Sequence, residues 1–364
     1  VTVGLDERLL DDAGLLEAAD PGSMLRQVAS SAAQVRTAVR LTAETDLSSV
    51  VTPGRPRAIV VAGMGGSGIA GDMLSAVCGS GCPVQVATVH DYTLPGWAGA
   101  ADLVAAVSCS GTTEETLSVA HEAVRRGCRL AAVGAPRSAL ADLAAQARAP
   151  FIPVMPVGTP RATLWGLSIP LVGIAHRLGI AEIGPDTYEA TARLLEDISH
   201  RCRPASEVFV NPAKALATGL AGTLPVIWGS SPLATVAARR FACQLNENAK
   251  QPALVGALPQ ASHNQVVAFD GMSAGYPAGL PLRLVLLRDS HEHPQVSKRR
   301  AAVARLAAGR GVEVTQLTAH GDHPLLRLAS LLQLIDYATV YLALGSGIDP
   351  SPTSAIQELK ARIG

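Results

Sequence analysis

Ala58-Ile-Val-Val-Ala62 is an unbroken apolar run that stops on Gly63, and Leu224-Pro-Val-Ile-Trp228 stops in the same way on Gly229. Runs this short, with no polar alternation, are what strands buried on both faces require. Each leads through a Gly/Ser turn into a stretch of helical spacing, 68–77 after the first and 233–248 after the second. Further strand-like runs fall at 84–89, 103–107, 129–133 and 150–154, and helical patterns at 113–126, 138–147 and 163–178. The second half continues with strands near 282–287 and 311–316, a long helix over 324–344 and a short one from Ser354. This βαβα rhythm predicts parallel, doubly wound sheets, and its restart after the charged stretch Asp186 to Arg203 predicts a duplicated α/β domain.

Composition narrows the function. A length of 364 residues suits about two domains. A formal net charge of +0, only 16% charged residues and 3% aromatics argue against nucleic acid and anionic membrane surfaces as partners. The first twenty positions carry Asp6, Glu7, Asp11, Asp12, Glu17 and Asp20 instead of a basic segment and an apolar core, so a cytoplasmic protein is expected. The apolar stretch from Pro324 to Leu344 is broken by Arg327, Gln333 and Asp336 and reads as a buried helix, with no membrane span. The six cysteines lack a C-x-x-C pair, which predicts small buried thiols rather than disulfides or zinc.

Two turns carry chemistry. Gly63-Met-Gly-Gly-Ser-Gly68 joins a strand to a helix, where backbone N–H groups and the positive helix end favour an anion. Gly63, Gly65 and Gly68 satisfy G-x-G-x-x-G, with Asp91 placed as a ribose-binding acid, which leaves an NAD-dependent oxidoreductase open at this point. Close packing explains the glycines but not the hydroxyl of Ser67. Ser108-Cys-Ser-Gly-Thr-Thr113 again follows a strand and opens a helix. Capping uses one of its four hydroxyls; a phosphate monoester uses several, without Lys or Arg. A nicotinamide site has no use for this second cluster.

These two turns resemble the sugar isomerase (SIS) domain. Asp91-Tyr-Thr-Leu-Pro95, Thr159-Pro-Arg-Ala-Thr-Leu164, Gln244-Leu-Asn-Glu-Asn-Ala-Lys250, Ser262-His-Asn-Gln265 and the C-terminal stretch from Gly347 to Lys360 resemble the bifunctional phosphoglucose/phosphomannose isomerase family. The resemblance implies two tandem SIS domains, at 41–190 and 205–345, after an N-terminal helical segment at 1–40 and before a tail and helix at 346–364 that close the active site. It implies phosphate ligands at Ser67, Ser108, Ser110 and Thr113 with backbone amides near Gly66. It also implies a catalytic set of Arg161, Glu247, His263 and Lys360, with Thr353 admitting mannose 6-phosphate. The implied assembly is a homodimer in which His263 enters the neighbouring site. Cys109, Thr112 and Gln265 depart from the commoner aromatic, Asn and Glu.

Interconverting an aldose and a ketose phosphate needs a carboxylate base, a ring-opening acid or base and a cation near the developing oxyanion, and no cofactor. Glu247 stands at a helix C-terminus, His263 in a loop and Arg161 after a strand. Each also has a plain surface reading when taken alone. Lys360 suits the negative end of the last helix, and Ser354 with Gln357 predicts a capping box that leaves Thr353 just outside. His291, His293, His320 and His323 lie in polar loops beside prolines, and no metal site is expected of them. The expected activity is interconversion of glucose, mannose and fructose 6-phosphates through a cis-enediolate. The rival is a non-catalytic sugar-phosphate sensor that has no need of Glu247 or His263.

Overall fold

A computed structural model describes residues 4–273 and 281–363. Its strands are β1 (Ala58–Ala62), β2 (Gln85–Val89), β3 (Leu103–Ser108), β4 (Arg129–Gly134), β5 (Phe151–Pro153), β6 (Leu224–Gly229), β7 (Leu254–Ala257), β8 (Leu282–Arg288) and β9 (Glu313–Thr318). They form one sheet ordered β2-β1-β3-β4-β5 and a second ordered β7-β6-β8-β9, and every pairing is parallel. Central β1 and β3 are buried at every residue, as the apolar runs 58–62 and 103–107 require, whereas edge strand β9 has no buried residue.

The chain divides into two compact units, each carrying one sheet. One comprises Ala29–Glu196 and Gly321–Ala329; the other comprises Val1–Val28, Asp197–His320 and Ser330–Gly364. The first core packs Val60, Val104 and Ala132 against Val119, Ala123 and Leu140 from the helices. The second packs Leu284 and Leu286 with Val303, and the stacked rings of Trp228 and Phe269 lie 5.7 Å apart. The helix Pro324–Gly345 is long and apolar enough to cross a membrane by composition, yet 94% of its most apolar window is buried within the protein.

Three local expectations are corrected. The helix after β1 starts at Gly66 rather than Gly68, because the turn tightens through Ser67 N–H to Met64 O and Gly68 N–H to Gly65 O bonds. The last helix runs Ser354–Ile363, and the carbonyl of Thr353 accepts from Ile356 and Gln357, so Thr353 flanks the helix in the place the capping box gives to Ser354. The helix beginning near Leu233 does not run regularly to Asn248: its α-helical part ends at Gln244 and a π-helical turn, Leu245–Ala249, follows.

Candidate active site

In the five-stranded sheet, β1 and β3 are neighbours whose chains leave toward opposite sides, which is where α/β sheets open a crevice beyond the strand C-termini. Ala62 pairs with Ala106, so the glycine turn and the hydroxyl turn emerge side by side at that crevice. Gly68 is dictated by contact: a Cβ there would lie 2.3 Å from Cε1 of His90 and 2.8 Å from the Gly63 carbonyl. His90 Nδ1 lies 2.9 Å from that same carbonyl and braces the turn. Ser67 is buried in the first turn of the helix.

The hydroxyl turn is organised around Ser108, which is 1% exposed. Its Oγ lies 2.8 Å from Thr113 Oγ1 and 3.5 Å from Ser110 Oγ, and accepts from Gly111 N at 3.0 Å. Gly111 has φ +70°, and a Cβ there would sit 2.0 Å from Ser138 Oγ. Thr113 stands at the N-cap of the helix Glu114–Arg125, but its side chain makes no capping bond. Its hydroxyl instead faces Ser108, so capping does not account for it. Ser110 also binds the backbone and hydroxyl of Thr112, at 3.2 and 3.1 Å. Burial pushes the Cys109 thiol up, against a hydrogen bond with Thr163.

Thr163 ends the 3-10 turn Pro160–Thr163, which carries Arg161. Arg161 is 4% exposed rather than a surface arginine, and its Cα is 3.8 Å from the position a Cβ on Gly66 would occupy. Gly66, Ser67, Ser108, Ser110, Thr113 and Arg161 thus stand at or just beyond the strand C-termini, at one end of one sheet. Asp91, the candidate ribose acid, accepts from the Tyr92 N–H at 2.6 Å.

The corresponding crevice of the second sheet, between β6 and β8, holds the protein's own carboxylates. Asp289 is buried, accepts from Ser231 Oγ at 2.8 Å, and donates its N–H to Ser230 Oγ at 2.9 Å. Burial would raise the nearby Glu292 carboxyl, but hydrogen bonds from Arg300, Ser230 and Ser297 outweigh it and hold that group below the usual range. Among the described residues this end of the second sheet carries two carboxylates, with Glu292 paired to Arg300 at 2.8 Å, where the first sheet carries the hydroxyl turn.

Glu247 sits in the π-helical turn, a widening that recurs at functional sites. It lines a cavity of about 670 Å³ together with Asn246, Lys250, Asp349, Thr353 and Ile356. Asn248 anchors the turn from behind, donating to Thr339 Oγ1 at 3.0 Å. Thr353 and Glu247 are therefore brought to the lining of one cavity. Lys360 is exposed and is not among the residues lining the cavity, although it follows Ile356 by one helical turn. His263 is exposed at the end of the 3-10 turn Gln260–His263 and does not line the cavity either.

Gln265 has a structural role that its sequence position does not reveal. Its Oε1 accepts from Trp228 Nε1 at 2.7 Å while Nε2 donates to the Val255 carbonyl at 3.2 Å. A carboxylate could not donate the second bond. His293 and His323 cap their own helices through Nδ1, and among the described residues no group of three His, Cys, Asp or Glu side chains is arranged to hold a metal ion.

Two α/β units, each built on a parallel sheet, define a protein of the SIS fold. The model of the bacterial phospho-glucose isomerase C-terminal SIS domain matches residues 209–363. A bifunctional phosphoglucose/phosphomannose isomerase from Caldicellulosiruptor bescii is 32% identical over 84% of this chain and 89% of its own. One from Aquifex aeolicus is 30% identical over 87% and 93%. The fold is similar to the crystal structure of a hypothetical protein from Thermus thermophilus, at a TM-score of 0.74 and 17% identity, covering 99% of this chain and 98% of that one. The chain belongs to the bifunctional phosphoglucose/phosphomannose isomerase family, and is an isomerase.

Proposed function

We propose that the protein interconverts fructose 6-phosphate with glucose 6-phosphate and mannose 6-phosphate through a cis-enediolate, with Glu247 as the base. The observation that carries this reading is Glu247 in the wall of a sugar-sized cavity that also presents Thr353. Ser67, Ser108, Ser110 and Thr113 take the phosphate together with the Gly66 N–H, using hydroxyls and a helix start in place of lysine. His263 opens the sugar ring by moving a proton between the ring oxygen and the anomeric hydroxyl. From the open ketose, Glu247 removes a C1 proton; the electron pair forms the C1–C2 double bond and the C2 oxygen takes the charge, which Arg161 offsets. Returning that proton to C2 and moving the O1 proton to the charged O2 gives the aldose. Rotation about C2–C3 before reprotonation selects the glucose or the mannose epimer, and Thr353 borders the space this rotation needs. Lys360 adds a second cation from the last helix. Atoms and electrons balance without a cofactor.

The reading includes a homodimer in which His263 serves the partner's site. Coupled assays that follow both aldose phosphates from fructose 6-phosphate test it. Wild type is expected to form both. Glu247→Gln and His263→Ala, each inactive alone, are expected to recover about a quarter of wild-type activity when refolded together, because mixed dimers hold one intact site. No recovery would refute the shared site, and no aldose from wild type would refute the function.

A further inference from the structure

The final helix, Ser354–Ile363, has no buried residue, and Ile356, Leu359 and Ile363 are 46%, 59% and 73% exposed. Its own packing therefore does not fix it, and the segment that leads into it must. That segment is held by Lys250. The ammonium donates to the carbonyls of Pro350 at 3.2 Å and Pro352 at 2.8 Å, and to the carbonyl of Glu247 at 2.6 Å. One cation thus joins the residue before Thr353 to the backbone of the proposed base, across the cavity that both line.

Two further observations indicate that the side chain itself is needed here. Lys250 has φ 55° and ψ 28°, the left-handed region in which Gly or Asn is the easy choice. The chain also has only four lysines, Lys214, Lys250, Lys298 and Lys360, among 30 basic residues. Lys214 is another ammonium surrounded by three carbonyls, those of Leu10, Pro204 and Ser206. A compact ammonium satisfies three converging carbonyls, whereas the planar fork of arginine does not.

We infer that Lys250 is a positioning residue that clamps residues 350–352 against the Glu247 turn, setting Thr353 and the helix that bears Lys360 relative to the base. The inference deepens the isomerase reading and rests on it for its effect on rate, but the clamp itself is measurable without turnover. Lys250→Met, Lys250→Arg and Lys250→Gly, the last of which relieves the left-handed backbone, are compared with wild type. The measurements are kcat and KM for fructose 6-phosphate and backbone hydrogen exchange over 347–363, with exchange in β6 as the control for folding. All three variants are expected to lose about 10²-fold in kcat, the cost of a misplacement near 1 Å, while KM stays within about twofold because the phosphate cradle is untouched. Exchange over 350–363 is expected to rise while β6 stays protected. Unchanged exchange there in Lys250→Gly overturns the inference, as does kcat within about twofold of wild type in Lys250→Gly or full activity in Lys250→Arg. A wild type without isomerase activity would refute the function alone, since the exchange data would still decide the clamp.

Discussion

Glu247→Gln is expected to lower kcat for fructose 6-phosphate by roughly 10²- to 10⁴-fold while leaving sugar-phosphate binding intact, the range a positioned general base contributes. The substitution keeps shape and volume and removes only the ability to take a proton. The π-helical turn that carries Glu247 is fixed by groups the change does not touch: Lys250 N–H closes onto Leu245 O, and Asn248 bonds Thr339. Calorimetric titration with fructose 6-phosphate beside the coupled assay separates the two effects. A variant with kcat within about threefold of wild type would remove Glu247 from the mechanism.

Removing hydroxyls from the cradle is expected to act on the other half of the problem. Ser108→Ala combined with Thr113→Val is expected to reduce kcat/KM by about 10²-fold or more. Each hydrogen bond to a charged phosphate contributes about 1.5–3 kcal/mol, and each 1.4 kcal/mol is about tenfold. Ser108 Oγ also accepts from Gly111 N, so its loss slackens the turn that aims Ser110. The measured dissociation constant for fructose 6-phosphate should rise in parallel, and competitive inhibition by inorganic phosphate should weaken. An unchanged affinity would place the phosphate elsewhere.

Much of this architecture is legible in the chain because buried parallel strands leave a distinctive pattern. Ala58–Ala62 and 103–107 are apolar throughout and fold where the pattern puts them, the second strand running one residue further to Ser108. Strand β7 lacks that signature, since Leu254–Ala257 is four residues long and follows Gln251-Pro252 without alternation. The helix Pro212–Leu220 is likewise absent from the sequence expectations, although Asn211 caps it and Pro212 occupies its first turn, both of them readable signals. The hydroxyl cluster is visible as composition, but that Thr113 faces Ser108 and leaves the helix start uncapped depends on tertiary geometry. Arg161 illustrates the same limit, because nothing in Thr159-Pro-Arg-Ala announces a guanidinium that is 4% exposed. The π-helical turn under Glu247 and the bonds from Lys250 to a segment 100 residues away have no local signature at all.

The central claim is a proton transfer at C2 of a sugar phosphate, and proton NMR of the reaction in deuterium oxide tests it most directly. Wild-type protein is given fructose 6-phosphate and held until the products reach equilibrium, so that many turnovers pass through the enediolate. The anomeric signals of glucose 6-phosphate and mannose 6-phosphate should both appear, and both should lose their coupling to H2 as deuterium enters at C2. Aldose products that carry protium at C2 after equilibrium, moved there from C1 without exchange, would contradict proton transfer through a base, and the absence of either aldose would contradict the isomerase assignment itself.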